Sequence, residues 1–211
     1  MSTGETQKRG RPIDVAKRAA ILEAAAHAFL ELGFAAASIE QIAADAGVSK
    51  VTVYNQFGDK RTLFAGAVEH ECSRMRTYFS IGGMESGSLR ERLTAIGHAM
   101  VEFLSRPEMI QFERRIAAET EQEPELGMAF LAAGPHHMKA ALTAFLCEMA
   151  EVGDVEVDNH EQAAEQFSSM CKGMGDLERR FGHPADPEKD RVRINGAVEV
   201  FCRAYSVRSR A

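Results

Sequence analysis

Tryptophan is missing from this chain of 211 residues, tyrosine occurs three times, and runs of β-branched residues are scarce, so nothing in the pattern asks for a sheet. Four cysteines, Cys72, Cys147, Cys171 and Cys202, lie far apart with no CxxC pair. That favours reduced thiols in a cytosol over a disulfide framework. No stretch approaches the ~18 uncharged apolar residues of a membrane span, and no apolar leader opens the chain, so no membrane partner is expected. P-loop, GxGxxG and HExxH motifs are absent. Ser169 and Lys172 spell SxxK, but the KTG and SDN companions of that chemistry are lacking and the pair falls within a helical pattern. Neither catalysis nor a cofactor is expected. His136 and His137 are adjacent, so they point about 100° apart on a helix, and no Glu-x-x-His partner accompanies them; no metal site is expected.

What is present describes a helical, soluble, intracellular protein. Apolar residues make up 45% and charged residues 27%, ordinary values for a globular chain, and the length allows one or two domains. The formal charge of −6 conceals an asymmetry: residues 1–61 carry +1 and residues 62–211 carry −7. Within the first 18 residues, Lys8, Arg9, Arg11, Lys17 and Arg18 face two acidic residues. Local charge of this kind governs contact with a polyanion, although a basic terminus is also compatible with plain solvation.

Punctuation divides the chain into nine or ten helices without a strand. Residues 1–12, with Gly4, Gly10 and Pro12, read as a flexible basic arm. From Asp14, Ile21, Leu22, Ala25, Phe29 and Leu32 fall on one helical face, with Gly33 placed to close it. Ser38 and Gln41 form a capping-box pair for a second helix interrupted at Gly47. Ser49 caps a third helix to Phe57, and a fourth begins near Asp59-Lys60 and stops before Gly82-Gly83. Ser88 and Glu91 open a fifth, ending at Arg106-Pro107. A helix over about 108–120 follows, then a helical stretch over 124–152 broken at Gly134-Pro135. Asp158 with Glu161, and Asp186 with Pro187, start the last two helices. Asn195-Gly196 would mark a hairpin between strands, but its neighbours fit a helix.

Residues 38–60, SIEQIAADAGVSKVTVYNQFGDK, place two short helices around a tight turn. Ala43 is small where the helices cross, Gly47 accommodates a positive φ, and Ile42, Val48 and Val53 fix the angle. Ser49 then opens a helix presenting backbone N–H groups and Lys50. This suits a recognition helix entering a DNA major groove, and it also suits an ordinary αα-corner.

The arm RGRP at 9–12, the helix AAILEAAAHAFLELGF at 19–34 and the block IAADAGVSKVTVYNQFGDKRTLF at 42–64 resemble the DNA-binding domain of TetR/AcrR-type bacterial transcriptional regulators. The stretch from about 112 to 146 is similar to the ligand-binding domain of the AefR-like branch. The resemblance implies an all-α fold: a flexible arm (1–12), a helix-turn-helix DNA-binding domain (13–59) and a ligand-binding and dimerisation domain (60–211). It further implies a cytoplasmic, nucleoid-associated homodimer, joined through its last two helices, that represses transcription from a palindromic operator and is released by a small effector. Carried over residue by residue, it gives Thr52, Tyr54 and Lys60 phosphate contacts, and places Lys50, Val51, Asn55 and Gln56 at base edges. Ser38, Gln41 and Ser49 belong to the supporting turn and helix starts near the backbone, and Arg9 and Arg11 to an adjacent minor groove. The chemistry agrees: Asn or Gln pairs with adenine, Lys reaches guanine, and valine touches a thymine methyl. Gly58-Asp59 departs from the Pro or Ser that many relatives carry before the lysine.

Residues 71–211 hold nine of ten Met and eight of twelve Phe. Met adapts to varied ligands, so Met100, Phe103, Phe112, Met128, Phe145 and Met170 are candidates for lining a pocket for a small apolar or amphipathic effector; each also suits a plain helical core. Gly173, Gly175 and Gly196 would permit close helix approach at a dimer interface. A ligand-binding module without DNA activity, and a DNA-binding activator, are the alternative readings.

Overall fold

The computed structural model describes residues 15–81 and 87–207, with side chains throughout except at 72–81. The basic arm, including Arg9 and Arg11, and the Gly82-Gly83 stop lie outside the described residues. Among the described residues ten α-helices follow one another: α1 Val15–Ala36, α2 Ile39–Asp45, α3 Lys50–Phe57, α4 Lys60–Ile81, α5 Leu89–Leu104, α6 Pro107–Thr120, α7 Pro124–Ala133, α8 Pro135–Glu151, α9 His160–Arg180 and α10 Pro187–Tyr205. Among the described residues the sole extended pairing is an isolated antiparallel bridge between Val155 and Ser206.

Local chemistry sets most of these boundaries. Ser38, Ser49 and Asp186 each accept a hydrogen bond from the backbone N–H three residues on, which satisfies a donor the helix start leaves open. Ser88 and Glu91 complete both halves of a capping box. Proline at the first position begins α6, α7, α8 and α10, where its missing N–H costs nothing. Two expectations are corrected. Gln41 does not return to Ser38; its side-chain amide donates to Asp45 at 2.7 Å, one helical turn on. Asn159, not Asp158, caps α9, because its side chain reaches the N–H of Gln162 at 2.9 Å.

Gly33 breaks α1 rather than ending it. At φ 82° it leaves the helical region, and the helix resumes to Ala36. Ile21, Ala25 and Phe29 are buried as their spacing requires, whereas Leu32, just before the break, is exposed. By length and composition α1 is also the one helix among the described residues apolar enough to cross a membrane. Here its apolar face is spent on the protein core.

Two cores organise the chain. The first gathers α1 to α4 with α6 and α7. A run of phenylalanines threads it: Phe29 meets Phe34 at 5.9 Å and Phe64 at 5.3 Å, Phe64 meets Phe112 at 5.9 Å, and Phe112 meets Phe130 at 5.8 Å between ring centres. The second core packs α5, α8, α9 and α10 around Leu93, Leu146, Phe167 and Phe201. Cys171 lies fully buried within it, and burial pushes its thiol up to about 12.

Between α9 and α10, buried Arg179 donates to both oxygens of Asp190 at 3.0 and 3.1 Å. Gly173 and Gly175, expected at an intersubunit contact, instead make room for Arg193 of the same chain: a Cβ at Gly173 would fall 2.7 Å from Arg193 Cδ. Gly196 has open space above it.

Phe64 is wholly buried and touches Phe29, Phe34 and Phe112. Phe64→Ala is therefore expected to cost about 3–5 kcal/mol. Urea unfolding followed by circular dichroism measures it, and a loss below about 1 kcal/mol would mean the aromatic run is not what joins α4 to α1.

Candidate nucleic-acid interface and ligand cavity

The short helices α2 and α3 are set by one turn. Gly47 takes φ 65°, a conformation glycine adopts without penalty, and the Val48 N–H returns to Ala43 O at 2.9 Å. Ile42, Ala43 and Val53 are buried beneath it, with Val48 packed at the edge. Ser49 caps α3 through the Thr52 N–H at 3.2 Å, and the two hydroxyls lie 2.8 Å apart.

With Val53 and Phe57 turned inward, the opposite face of α3 presents Lys50, Val51, Tyr54 and Asn55 to solvent. Val51 is 66% exposed. Thr52 is half-buried beside Ser49, and Ser38, Gln41 and Ser49 are exposed along the same edge. Lys50 pairs with Glu40 of α2 and lies 5.7 Å from the centre of the Tyr54 ring. Its hydrogen bond to Glu40 raises the lysine and lowers the carboxyl from their ordinary values. Both groups are exposed, so another acceptor can take the place of the glutamate.

Two residues sit differently from expectation. Gln56 is half-buried, and its side-chain oxygen is buried without a hydrogen-bond partner. Lys60 is drawn back to α1: its ammonium donates to Ala35 O at 3.2 Å and stands 4.7 Å over the Phe34 ring. Partial burial lowers its pKa, opposed by Glu119 and Glu123. It therefore ties α4 to the end of α1.

A second feature lies between the two cores. A cavity of about 630 Å³ is bordered by α1 and α4 to α9. Met100, Phe103, Phe112 and Phe145 line it. Met128 does not: it is 69% exposed, because Leu126 and Phe130 occupy the inward face of α7. Met170 packs against the second core instead, away from the lining. Sequence reasoning missed the contributions of α1 and α4, Phe29, Leu30, Ala67 and Val68, because their apolar spacing is that of any core helix. It also missed the charged lining. Glu113 faces Arg180 at 3.1 Å, Lys139 holds Glu161 at 2.8 Å and Glu165 at 3.6 Å, and Glu71 lies 3.7 Å from Arg106. Arg92 stacks on Phe145 at 4.7 Å.

Comparison with known proteins follows the same division. Residues 21–67 match the family model for bacterial regulatory proteins of the tetR family, and residues 91–207 match the C-terminal domain of AefR-like transcriptional repressors. The HTH-type transcriptional regulator YvkB of Bacillus subtilis is 27% identical over 154 residues, 72% of this chain and 78% of that protein. A TetR-family regulator from Mesorhizobium loti superposes with a TM-score of 0.76 at 26% identity, over 93% of this chain and all (100%) of that one. The flavonoid-responsive regulator FrrA superposes with a TM-score of 0.68 at 30% identity, over 92% of this chain and 98% of that one.

Burial raises the Glu113 carboxyl above its ordinary value of 4.5, with Arg180 opposing. A carboxyl whose folded pKa exceeds its unfolded one stabilises the protein below the unfolded value, and that contribution is lost as pH rises through the folded one. Stability of the wild type relative to Glu113→Gln is therefore expected to fall as pH climbs through and above 4.5. Denaturation of the two proteins across that range checks it; a difference that grows with pH would reverse the assignment.

Proposed function

The chain belongs to the TetR family of bacterial transcriptional regulators and is not an enzyme, and from that premise we propose that it is a repressor binding a palindromic operator as a homodimer and released by a small apolar or amphipathic effector. The observation that carries DNA reading is the face of α3: a helix capped by Ser49, anchored by Val53 and Phe57, with Lys50, Val51, Tyr54 and Asn55 left exposed. Such a helix enters the major groove, where Lys50 meets guanine acceptors, Val51 a thymine methyl and Asn55 an adenine. Thr52 and Tyr54 clamp phosphates, Ser38 and Gln41 approach the backbone from α2, and the arm with Arg9 and Arg11 follows the minor groove. Operator DNA places the protein in the cytoplasm, on the nucleoid.

The reading unit is residues 13–59, and 60–211 form the effector and dimer unit. Its dimer face is α9 and α10. Met174 and Leu177 on α9 and Phe181 just past its end are followed by Val192 and Val200, which flank Gly196 on α10; all of these large residues are exposed in the single chain, Phe181 by 82%. An apolar stripe of this kind is what a four-helix interface buries, and the open space at Gly196 admits a close partner. A two-fold dimer sets its two α3 helices about 34 Å apart, one turn of DNA. An effector in the cavity between the cores touches α1 and α4 directly and alters that spacing only by its differential affinity for the two arrangements.

Selection of the purified protein against random duplexes is expected to enrich a palindrome; no enrichment from ligand-free, folded dimer would overturn DNA reading. Tyr54→Phe should weaken all sites alike, about threefold to tenfold for one lost hydrogen bond, and a changed sequence preference would argue against a phosphate role. Val200→Glu should leave a folded monomer by sedimentation, since like charges then meet across the two-fold. A dimer of unchanged affinity would place the interface elsewhere.

A further inference from the structure

We propose that the effector is an aromatic carboxylate whose charge is received by Arg92. This rests on the cavity between the two cores being the effector site. The charges bordering that cavity are otherwise matched: Arg180 has Glu113 and Asp176 at 3.1 and 3.2 Å, Lys139 has two glutamates, Glu71 has Arg106, and Lys172 lies in the field of Glu113. Arg92 is different. Among the described residues its partners are the Phe145 ring and the Met149 sulfur, to which it donates at 3.1 Å. Its Nε is buried with no hydrogen-bond partner. A half-buried guanidinium set against an aromatic face and a thioether lacks the carboxylate to which its fork of N–H groups would donate.

The rest of the lining supplies the aromatic part of the ligand. Arg92, Ile96, Met100 and Phe103 border the cavity from one face of α5, so the cation stands about 16 Å of helix rise from the aromatic end. There Phe103, Phe112 and Phe130 converge. The face of α5 thus offers one cation without a carboxylate and, further along, an aromatic contact, which selects a flat apolar frame with one terminal anion. A neutral isostere loses the charge-assisted hydrogen bond and leaves the guanidinium unpaired, a penalty of about tenfold to a hundredfold in affinity.

The test compares biphenyl-4-carboxylate with biphenyl-4-carboxamide, alike in shape and different in charge, by titration calorimetry on the full-length protein at neutral pH. Wild type is expected to bind the carboxylate about tenfold or more tighter. Arg92→Met should abolish the preference without weakening the amide, and Arg92→Lys, which keeps the charge, should retain most of it. Equal binding of the two probes by wild type, or a preference that survives Arg92→Met, overturns the proposal while leaving the cavity as a binding site. Binding of neither probe up to its solubility limit overturns both the proposal and the effector reading on which it rests.

Discussion

The helices α1 to α3 and the cavity between the cores share one hydrophobic core, and the run of phenylalanines from Phe34 through Phe29, Phe64 and Phe112 to Phe130 is what makes it one. Phe34 and Phe29 belong to α1, whose buried face also carries α2 and α3. Phe29, Phe112 and Phe130 border the cavity. Protein interiors are packed as densely as organic crystals and yield in discrete rearrangements, not by continuous deformation. An occupant that moves Phe112 therefore presses on Phe64, and through it on α4 and α1. The core that gives the fold its stability is thus continuous from the lining of the cavity to the buried residues of α3.

Polar ties reinforce the same junction from outside. The break at Gly33 leaves the carbonyls at the end of α1 without helical partners, and α6 and α4 supply them. Arg115 donates to the carbonyls of Leu30, at 2.9 Å, and Glu31, Glu119 accepts from the Ala35 N–H at 3.1 Å, and Lys60 takes Ala35 O. A Cβ on Gly33 would come within 2.9 Å of Glu119, so the glycine is required for its positive φ and for the approach of α6. Arg61 adds pairs with Glu123 and Glu125 at the start of α7. These exposed pairs contribute little to stability; their effect is orientation, holding α1 at one angle against α6, the helix that also carries Met109, Phe112 and Glu113 to the cavity.

How much of this was legible in the sequence depends on the range over which each residue acts. Ser38, Ser49, Ser88 and Asp186 act within four residues, and the structure has all four as caps. Asn159 was missed because Asp158 offers the same chemistry one position away, and local geometry decides between them. The exposed face of α3 followed from the burial of Val53 and Phe57. Lys60 and Gln56 did not follow, since their surroundings come from α1 and the interior. Met128 and Met170 failed as lining residues for the same reason: methionine marks apolar surface without saying which side of its helix meets a void and which a neighbour. Arg92 carried no local signal at all, because what distinguishes it is the absence, among the described residues, of a carboxylate beside it in three dimensions.

The α9–α10 pair shows what a buried charge can contribute to assembly. Two arginines, Arg179 and Arg193, share the single carboxylate of Asp190, and Arg193 fills the space left by Gly173 and Gly175. Burial of such a group is costly, and apolar substitutes often stabilise as well, so stability alone gives no reason for it. Register does. A slide of α10 along α9 by one turn would separate Asp190 from Arg179 and strand that guanidinium in a dry interior, whereas an apolar contact would tolerate the slip. With the register fixed, Met174, Leu177 and Phe181 stay in line with Val192 and Val200 as one surface. The dimer proposed above, which would bury this surface against its own copy, gains from a register that cannot drift.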